Sequence, residues 1–352
     1  MPPATETKMS DYHRILLIKP SSLGDVVHAL PVASALKERW PEAHLTWFVK
    51  RQWADLVHRC KDVDRIWPVD TTLGSWLGQV RALRGEGFDL VIDLQGLFRS
   101  GALAWLSGSP VRIGFVNGRE GSPWFYTHRV PVSSMEMHAV DRYLLVAAAL
   151  GAPPQGMPQF RFKKLEEDLA AIRDLCENKH FSVEKPWVAM SVSARWPTKR
   201  WPLGSFAAVI DQLANEGLGP IVLIGSSDEQ GEVGQLKAMT TNSFVDLTGA
   251  VPLGSLPALL SCASVLITND SGPMHVAAAV GTPVVALFGP TSPVRTGPYG
   301  SNHTVLTHKI SCSPCFNRSC RNVVSLECLN RISPEQVMAV ARTQLALRVT
   351  FR

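Results

Sequence analysis

The segment Ser264–Pro290, SVLITNDSGPMHVAAAVGTPVVALFGP, constrains the chain more than any other. Ser264–Thr268 is short, apolar and followed at once by turn residues, the pattern of a buried strand. Asn269, Asp270, Ser271 and Gly272 make a turn rich in helix-capping residues, and Pro273 stands where a first helical residue needs no N–H. The sequence predicts a short helix over Met274–Val280, stopped by Gly281, and a strand over Pro283–Phe288. A helix thus opens from the carboxyl end of a strand. In a parallel α/β sheet ligands bind there, and free backbone N–H groups favour an anion. Gly272 lets the backbone approach a phosphate closely, Asp270 and Ser271 offer polar groups, and His275 follows one turn later. Taken alone, the stretch also reads as an ordinary capped junction with a satisfied histidine.

At 352 residues, 45% hydrophobic, the chain is long enough for two α/β domains. A net charge of +5 and a pI near 8.9 suit anionic small substrates or an anionic membrane face. With no basic run and no RNA-binding aromatic motif, nucleic acid is not expected as a partner. Met1–Ser10 is polar and lacks a signal-peptide core, and no apolar run reaches the ~18 residues of a membrane span. A disordered leader on a cytoplasmic protein is the expectation. Seven cysteines, an odd number, argue against a disulfide scaffold.

Along the chain, Arg14–Lys19 reads as a strand, followed by the loop Pro20–Asp25 and a helix from Val26 to Arg39 with Pro31 near its first turn or at a kink. The loop is neither G-x-G-x-x-G nor a Walker loop, so hydride transfer and kinase chemistry lack their fingerprint. It presents Ser22, Gly24 and the carboxylate of Asp25, which as a lone feature is a helix cap. His44–Val49, Val63–Pro68, Leu90–Asp93 and Val111–Gly114 are further strands alternating with helices, a parallel doubly wound sheet. Asp93, Gln95 and Arg99 face its carboxyl edge, where Asp93 also has the option of pairing with Arg99. Asn117–Met137 is a long aperiodic loop holding Arg119, and His138–Leu150 is a helix. Seven of the ten tryptophans precede residue 130; core or sheet-edge positions account for most, an amphipathic surface for a lipid-linked acceptor being the sharper reading.

The domains are expected at 1–160, 187–332 and a terminal helix at 333–352, with 161–186 as linker. In the second domain SVSARWPTKRWP follows a strand at Trp187–Ser191, and Ser193, Lys199 and Arg200 can coordinate phosphates. After a strand at Pro220–Ile224, Asp228 or Glu229 is available for a ribose. Cys312, Cys315, Cys320 and Cys328 lie within seventeen residues and allow a structural four-thiolate zinc site, with reduced packing thiols as the other reading.

Five ordered motifs, KPSSLGDVVHALP, VIDLQGLFRSG, HAVDRY, KRWP and DSGPMH with ALFGPTSP, resemble glycosyltransferase family 9, the bacterial heptosyltransferases. The resemblance implies a GT-B fold, two Rossmann-like domains facing a cleft, with the last helix crossing back onto the first. It implies inverting transfer of a heptose from an ADP-sugar donor to a hydroxyl of a lipid-linked or lipopolysaccharide core acceptor, with no cofactor required for catalysis and peripheral contact with the inner membrane. Asp25 would be the base. Ser193, Lys199, Arg200, Asp228 or Glu229, Asp270, Ser271, Gly272 and His275 would bind donor. Ser22, Gly24, Asp93, Gln95, Arg99, Arg119 and His138 would face acceptor. Thr71–Trp76 carries no charge where the family member for the first heptose has a basic run, and Pro197 replaces a small or polar residue. A different sugar nucleotide or surface-glycan acceptor, and a catalytically silent nucleotide- or glycan-binding paralogue, are the alternatives.

Overall fold

The computed structural model describes residues 11–70, 76–163 and 165–350. The predicted leader Met1–Ser10, and Thr71–Ser75 of the uncharged stretch, lie outside them. The chain divides into two compact units, 1–163 and 164–352.

The first unit alternates β1 (Arg14–Ile18), α1 (Leu23–Arg39), β2 (His44–Lys50), α2 (Arg51–His58), β3 (Arg65–Val69), α3 (Trp76–Gly85), β4 (Leu90–Asp93), α4 (Phe98–Leu106), β5 (Val111–Phe115), β6 (His128–Val130) and α5 (Ala139–Ala149). Its strands form one parallel sheet in the order β3-β2-β1-β4-β5-β6. The second unit runs α6 (Leu165–Glu177), β7 (Val188–Ser191), α7 (Leu203–Asn215), β8 (Ile221–Leu223), α8 (Gln230–Met239), β9 (Val245–Asp246), α9 (Leu256–Cys262), β10 (Val265–Asn269), α10 (Gly272–Ala279), β11 (Val284–Phe288), α11 (Pro293–Thr296), β12 (Thr304–Thr307), α12 (Glu327–Asn330) and α13 (Pro334–Thr350). Its sheet is β12-β11-β10-β7-β8-β9, the same winding repeated, and again all parallel. The expected pair of doubly wound Rossmann-like units is therefore what the chain forms. In each, the strand order reverses beside the first strand, between β1 and β4 and between β7 and β10. At such a switch point neighbouring loops leave in opposite directions and open a crevice at the carboxyl ends.

The central strands are apolar on both faces because helices cover both: Leu16, Leu17 and Ile18 of β1 and Leu266 and Ile267 of β10 have no exposure. Three local expectations change. Pro31 sits in the third turn of α1, because the helix starts at Leu23 rather than Val26. The predicted loop Asn117–Met137 contains the edge strand β6, too short and polar to show a period of two. The helix inside the predicted linker, α6, packs on α9 and belongs to the second unit. Of the terminal helix, Val337, Met338, Ala341 and Leu345 are buried in the second unit's core, against α7, β10 and β11. Their spacing makes one apolar stripe, and that core is where it is buried.

One glycine sets the floor of the first crevice. A Cβ on Gly114 of β5 would lie 2.4 Å from the Tyr126 ring, so the bare backbone is what lets that ring cross the strand. There the Tyr126 hydroxyl donates to Asp93 Oδ2 at 2.7 Å. Gly114→Ala should therefore overpack the site and displace this bond, lowering unfolding stability by about 1–3 kcal/mol. Urea titration checks it; an unchanged midpoint would show that the ring moves freely.

Candidate functional site

In the first unit the chain leaves β1 through Lys19 and re-enters order at Ser22, the N-cap of α1, with Asp25 at the third helical position. The Ser22 N–H and hydroxyl both donate to Asp25 Oδ2, at 3.0 and 2.8 Å. Tyr143 of α5 donates its hydroxyl to Oδ1 at 2.9 Å. Lys19 Nζ stands 3.8 Å from Oδ1, with the lysine only 4% exposed. It also donates to Leu94 O at 3.3 Å and lies 5.1 Å from the centre of the Tyr143 ring. Burial disfavours the Asp25 charge, but the Lys19 cation and the two Ser22 donors outweigh it and hold the carboxyl well below its usual range. The same pairing keeps Lys19 charged against its burial, its ammonium raised above the usual value. Asp25 nevertheless keeps 36% of its side chain exposed. It is an ionised carboxylate at the carboxyl edge, clamped from three sides and open on another.

Asp93, at the end of β4, is the opposite case. It has no exposure, and besides Tyr126 it accepts from the N–H groups of Gln95 at 2.8 Å and Gly96 at 3.2 Å. Burial raises its pKa despite these donors. The expectation that it faces an acceptor, or pairs with Arg99, is corrected: Asp93 fastens the turn after β4 to Tyr126, and Arg99 is exposed on α4. Gln95 is half-buried in that turn. Arg119 is exposed, its N–H donating to Gly96 O at 2.8 Å, so the Arg119 loop lies along the β4 turn. His138 is the N-cap of α5, accepting from Val140 N at 3.2 Å, and its ring meets His28 edge-on at 5.1 Å. The structure thus gathers Ser22, Gly24 and Asp25 at the end of β1, and Gln95, Arg99 and Arg119 after β4.

In the second unit the centre is the end of β10. Asn269 is fully buried; its amide donates to Val192 O at 2.8 Å and accepts from Trp201 N at 2.9 Å. This side chain pins both ends of the Ser193–Arg200 loop. Within the loop, Lys199 Nζ lies 2.6 Å from Asp270 Oδ2 and 4.8 Å from the centre of the Trp196 ring. Asp270, 4% exposed, also accepts from the Thr291 hydroxyl at 2.6 Å. The carboxylate is thereby occupied with aiming the ammonium, which remains 18% exposed with further protons to give. Ser271 caps α10 by position, but its hydroxyl is paired with Thr268 Oγ1 at 3.0 Å and caps no helix N–H. The first-turn amides beside Gly272 therefore keep the donor capacity every helix start has. His275 and Ser193 are buried at 7% and 3%.

Arg200 departs from its expected phosphate role: its guanidinium donates to Ala194 O at 2.7 Å and forms an ion pair with Glu232. At the end of β8 the choice between two acids resolves by packing. Glu229 turns inward over Gly225, where a Cβ would lie 2.2 Å from Oε2, and burial raises its carboxyl; Asp228 is exposed. The neighbouring Thr248 Oγ1 is buried with no partner among the described residues.

The four clustered cysteines line one small pocket with Thr198, Pro290 and Glu327. All are free thiols, and among the described residues no three His, Cys, Asp or Glu side chains are placed to hold a metal ion. The zinc expectation does not fit this arrangement. The cysteine loop braces the Ser193–Arg200 loop, Thr198 donating to Asn317 O at 2.8 Å, and is tied to the end of β11, Ser313 donating to Gly289 O at 2.6 Å.

Lys19, Tyr143, Tyr126, Trp196, Asn269 and Thr291 were not singled out in the sequence. Lys19 was legible as a cation ending an apolar strand, and Tyr143 as the last residue of HAVDRY; the partners of Asn269 lie 68 and 77 residues away and left no local signal.

The sequence profile described as Glycosyltransferase family 9 (heptosyltransferase) matches residues 76–324. The chain is 28% identical to Lipopolysaccharide heptosyltransferase 1 of Pseudomonas aeruginosa, covering 96% of this chain and 100% of that one. It is 30% identical to Lipopolysaccharide heptosyltransferase 2 of Salmonella typhimurium, covering 83% and 87%. Among solved structures, the glycosyl transferase family 9 protein of Veillonella parvula superposes with a TM-score of 0.82 at 27% identity, covering 96% and 98%. The E. coli ADP-heptose lipopolysaccharide heptosyltransferase II gives 0.79 at 26%, covering 95% and 99%.

Two measurements test the site. Lys199→Ala removes a charge-assisted donor and should weaken ADP binding by about 1.5–3 kcal/mol, roughly ten- to a hundredfold, in calorimetric titration; equal affinity would remove Lys199 from the site. Thiol labelling of the folded protein should reach the exposed Cys312 and Cys320 first, and the buried Cys60, its thiol pushed up to about 12, only on unfolding. Protection of both exposed thiols, with about one equivalent of metal, would restore the zinc reading.

Proposed function

Because the chain belongs to glycosyltransferase family 9, we propose that it transfers a heptose from ADP-heptose to a hydroxyl of the lipopolysaccharide inner core, with inversion. The observation that carries the chemistry is the state of Asp25: ionised, held by Ser22 and Tyr143, and still open to a ligand. In this reading the acceptor oxygen attacks the anomeric carbon as the bond to the diphosphate breaks. Its proton passes to Asp25, and ADP leaves with the bonding pair. A sugar hydroxyl is a poor nucleophile at neutral pH, and a carboxylate on the attacking side is the device inverting glycosidases also use.

The second unit would hold the donor. Lys199, aimed by Asp270, and the first-turn amides of α10 would meet the diphosphate as charge builds on it, without calling on a metal ion. Glu229, turned inward over Gly225, would take the ribose, and the Leu247–Ala250 loop, with its unpartnered Thr248 hydroxyl, suits the base. Arg99 and Arg119 would take the anionic groups of a lipid-linked acceptor. Among the described residues no helix is long and apolar enough to cross a membrane. The proposal sets the enzyme in the cytoplasm, meeting its acceptor at the inner membrane surface.

The test is mass spectrometry of truncated lipopolysaccharide incubated with ADP-heptose and, in parallel, other sugar nucleotides. Addition of one heptose is expected; addition only of another sugar would overturn the donor. Asp25→Asn keeps the shape but cannot take a proton, and its NH2 cannot accept as one carboxylate oxygen does from Ser22 or Tyr143, so kcat should fall by ~10²–10⁴. ADP affinity should stay within about threefold, because that substitution lies in the other unit. Since the Asp25 carboxyl lies well below the ordinary ~3.9, it stays ionised through the mildly acid range, and its loss of activity on acidification should appear only below about pH 4. A mutant retaining more than about a tenth of the parent rate would make Asp25 a helix cap alone.

A further inference from the structure

Phe98, Trp105 and Trp124 are 52%, 56% and 82% exposed, although aromatic rings of this size are normally covered. Phe98 and Trp105 stand seven residues apart, two turns along one face of α4. Both rings approach Phe125, with centroids at 5.3 and 6.5 Å. Phe125 reaches them because Gly101 is bare: a Cβ there would come within 2.8 Å of its ring. Trp124 is the preceding residue of the same short 3-10 turn, Ser122–Phe125. A scattered exposed hydrophobic is ordinary, but a contiguous aromatic group marks a surface that something covers.

Charge says what. Arg99 is exposed in the first turn of α4, and Arg119 is exposed in the loop whose backbone bonds to Gly96 just before it. At the other end of the helix the exposed Arg84 lies 3.6 Å from where a Gly108 side chain would begin. Cations therefore flank both ends of the aromatic face. Of the acids near it, Glu120 accepts the Phe98 N–H at 3.2 Å, and Glu86, two residues after Arg84, is paired with Arg65. Arg112, nearby, is engaged with the carbonyls of Phe125 and Ser109.

We propose that this face of the first unit docks on a bilayer surface carrying anionic headgroups. The rings would sit at headgroup depth, where amphipathic aromatics are favoured, and the arginines would meet lipid phosphates. A protein partner explains the rings but not the cations at both ends; a bilayer uses both. The proposal rests on the lipid-linked acceptor only for its purpose, which is to hold Arg99 and Arg119 in the layer where such an acceptor is anchored.

The full chain is sedimented with phosphatidylethanolamine–phosphatidylglycerol vesicles and with pure phosphatidylcholine vesicles. Binding to the anionic set alone is expected. Trp124→Ser and Trp105→Ser should each weaken it about tenfold, less than full burial of a tryptophan would give, because only part of each ring enters the interface. High salt should weaken it further. Trp124 is so exposed that its replacement cannot disturb the core, and transfer to a detergent-free, lipid-stripped acceptor should be unchanged. Absence of vesicle binding, or binding indifferent to both substitutions, would overturn the proposal. So would analytical ultracentrifugation in which the substitutions dissolve a dimer while vesicle binding stays the same. Tryptophan-dependent vesicle binding in a chain that transfers no heptose would support the docking face and remove the functional reading instead.

Discussion

The site proposed for the donor depends on one buried amide. Asn269 ends β10 inside the sheet, has no exposure, and uses its carbonyl and its NH2 to hold the two ends of the phosphate loop. An unmet buried polar group costs about 1–3 kcal/mol, so the loop cannot drift without exposing that penalty at both its attachments. Everything proposed for Lys199 follows from this pin. The ammonium meets Asp270 because the loop returns to the strand end at Trp201, and Trp201 is itself locked, with its indole N–H donating to Ile332 O at 3.0 Å. Binding a diphosphate then needs little reorganisation, and in electrostatic stabilisation that preorganisation is the useful quantity.

The first unit solves the same problem with the opposite charge. Both units place their polar groups where the strand order reverses, and in both a buried clamp beside the working group holds the neighbouring turn. Asp93 and Asp25 show how environment divides one residue type between these duties. Asp93 is enclosed, raised by burial, and fastens a turn to Tyr126. Asp25 is lowered by Lys19 and Ser22 and stays partly open. Lys199 and Asp270 repeat the division as a pair, the buried acid positioning the partly exposed ammonium.

The alternation of apolar runs with helices was readable for the central strands, because these are buried on both faces, and not for the short polar edge strand β6. Leu165–Glu177 and Leu90–Asp93 fall where their periodicity puts them. The rest was decided by tertiary contact. The last helix has an unremarkable apolar stripe, and nothing in Val337, Met338 or Ala341 says which unit will cover it. Asp93 ends an apolar strand and Asp25 lies in the first turn of the helix that follows one, and only the fold brings Tyr126 over the first and Tyr143 to the second. Arg200 and Lys199 are adjacent cations, separated in role by Glu232, 32 residues on.

The low proton affinity of Asp25 bears on how it can serve as a base. A carboxylate stabilised by a lysine and by hydrogen bonds is a weaker base in the resting enzyme than a free one. In return it is fully ionised whenever the acceptor arrives, and it is aimed. The proton it receives becomes acidic only as the C–O bond forms, so the transfer falls late, when the hydroxyl has lost most of its own affinity. A stronger base would gain little at that stage, whereas a misdirected one would lose the alignment that inversion requires. Ser22 and Tyr143 therefore make sense as groups that trade basicity for direction, and the Lys19 charge beside them keeps the carboxylate ionised on the side that is closed to solvent.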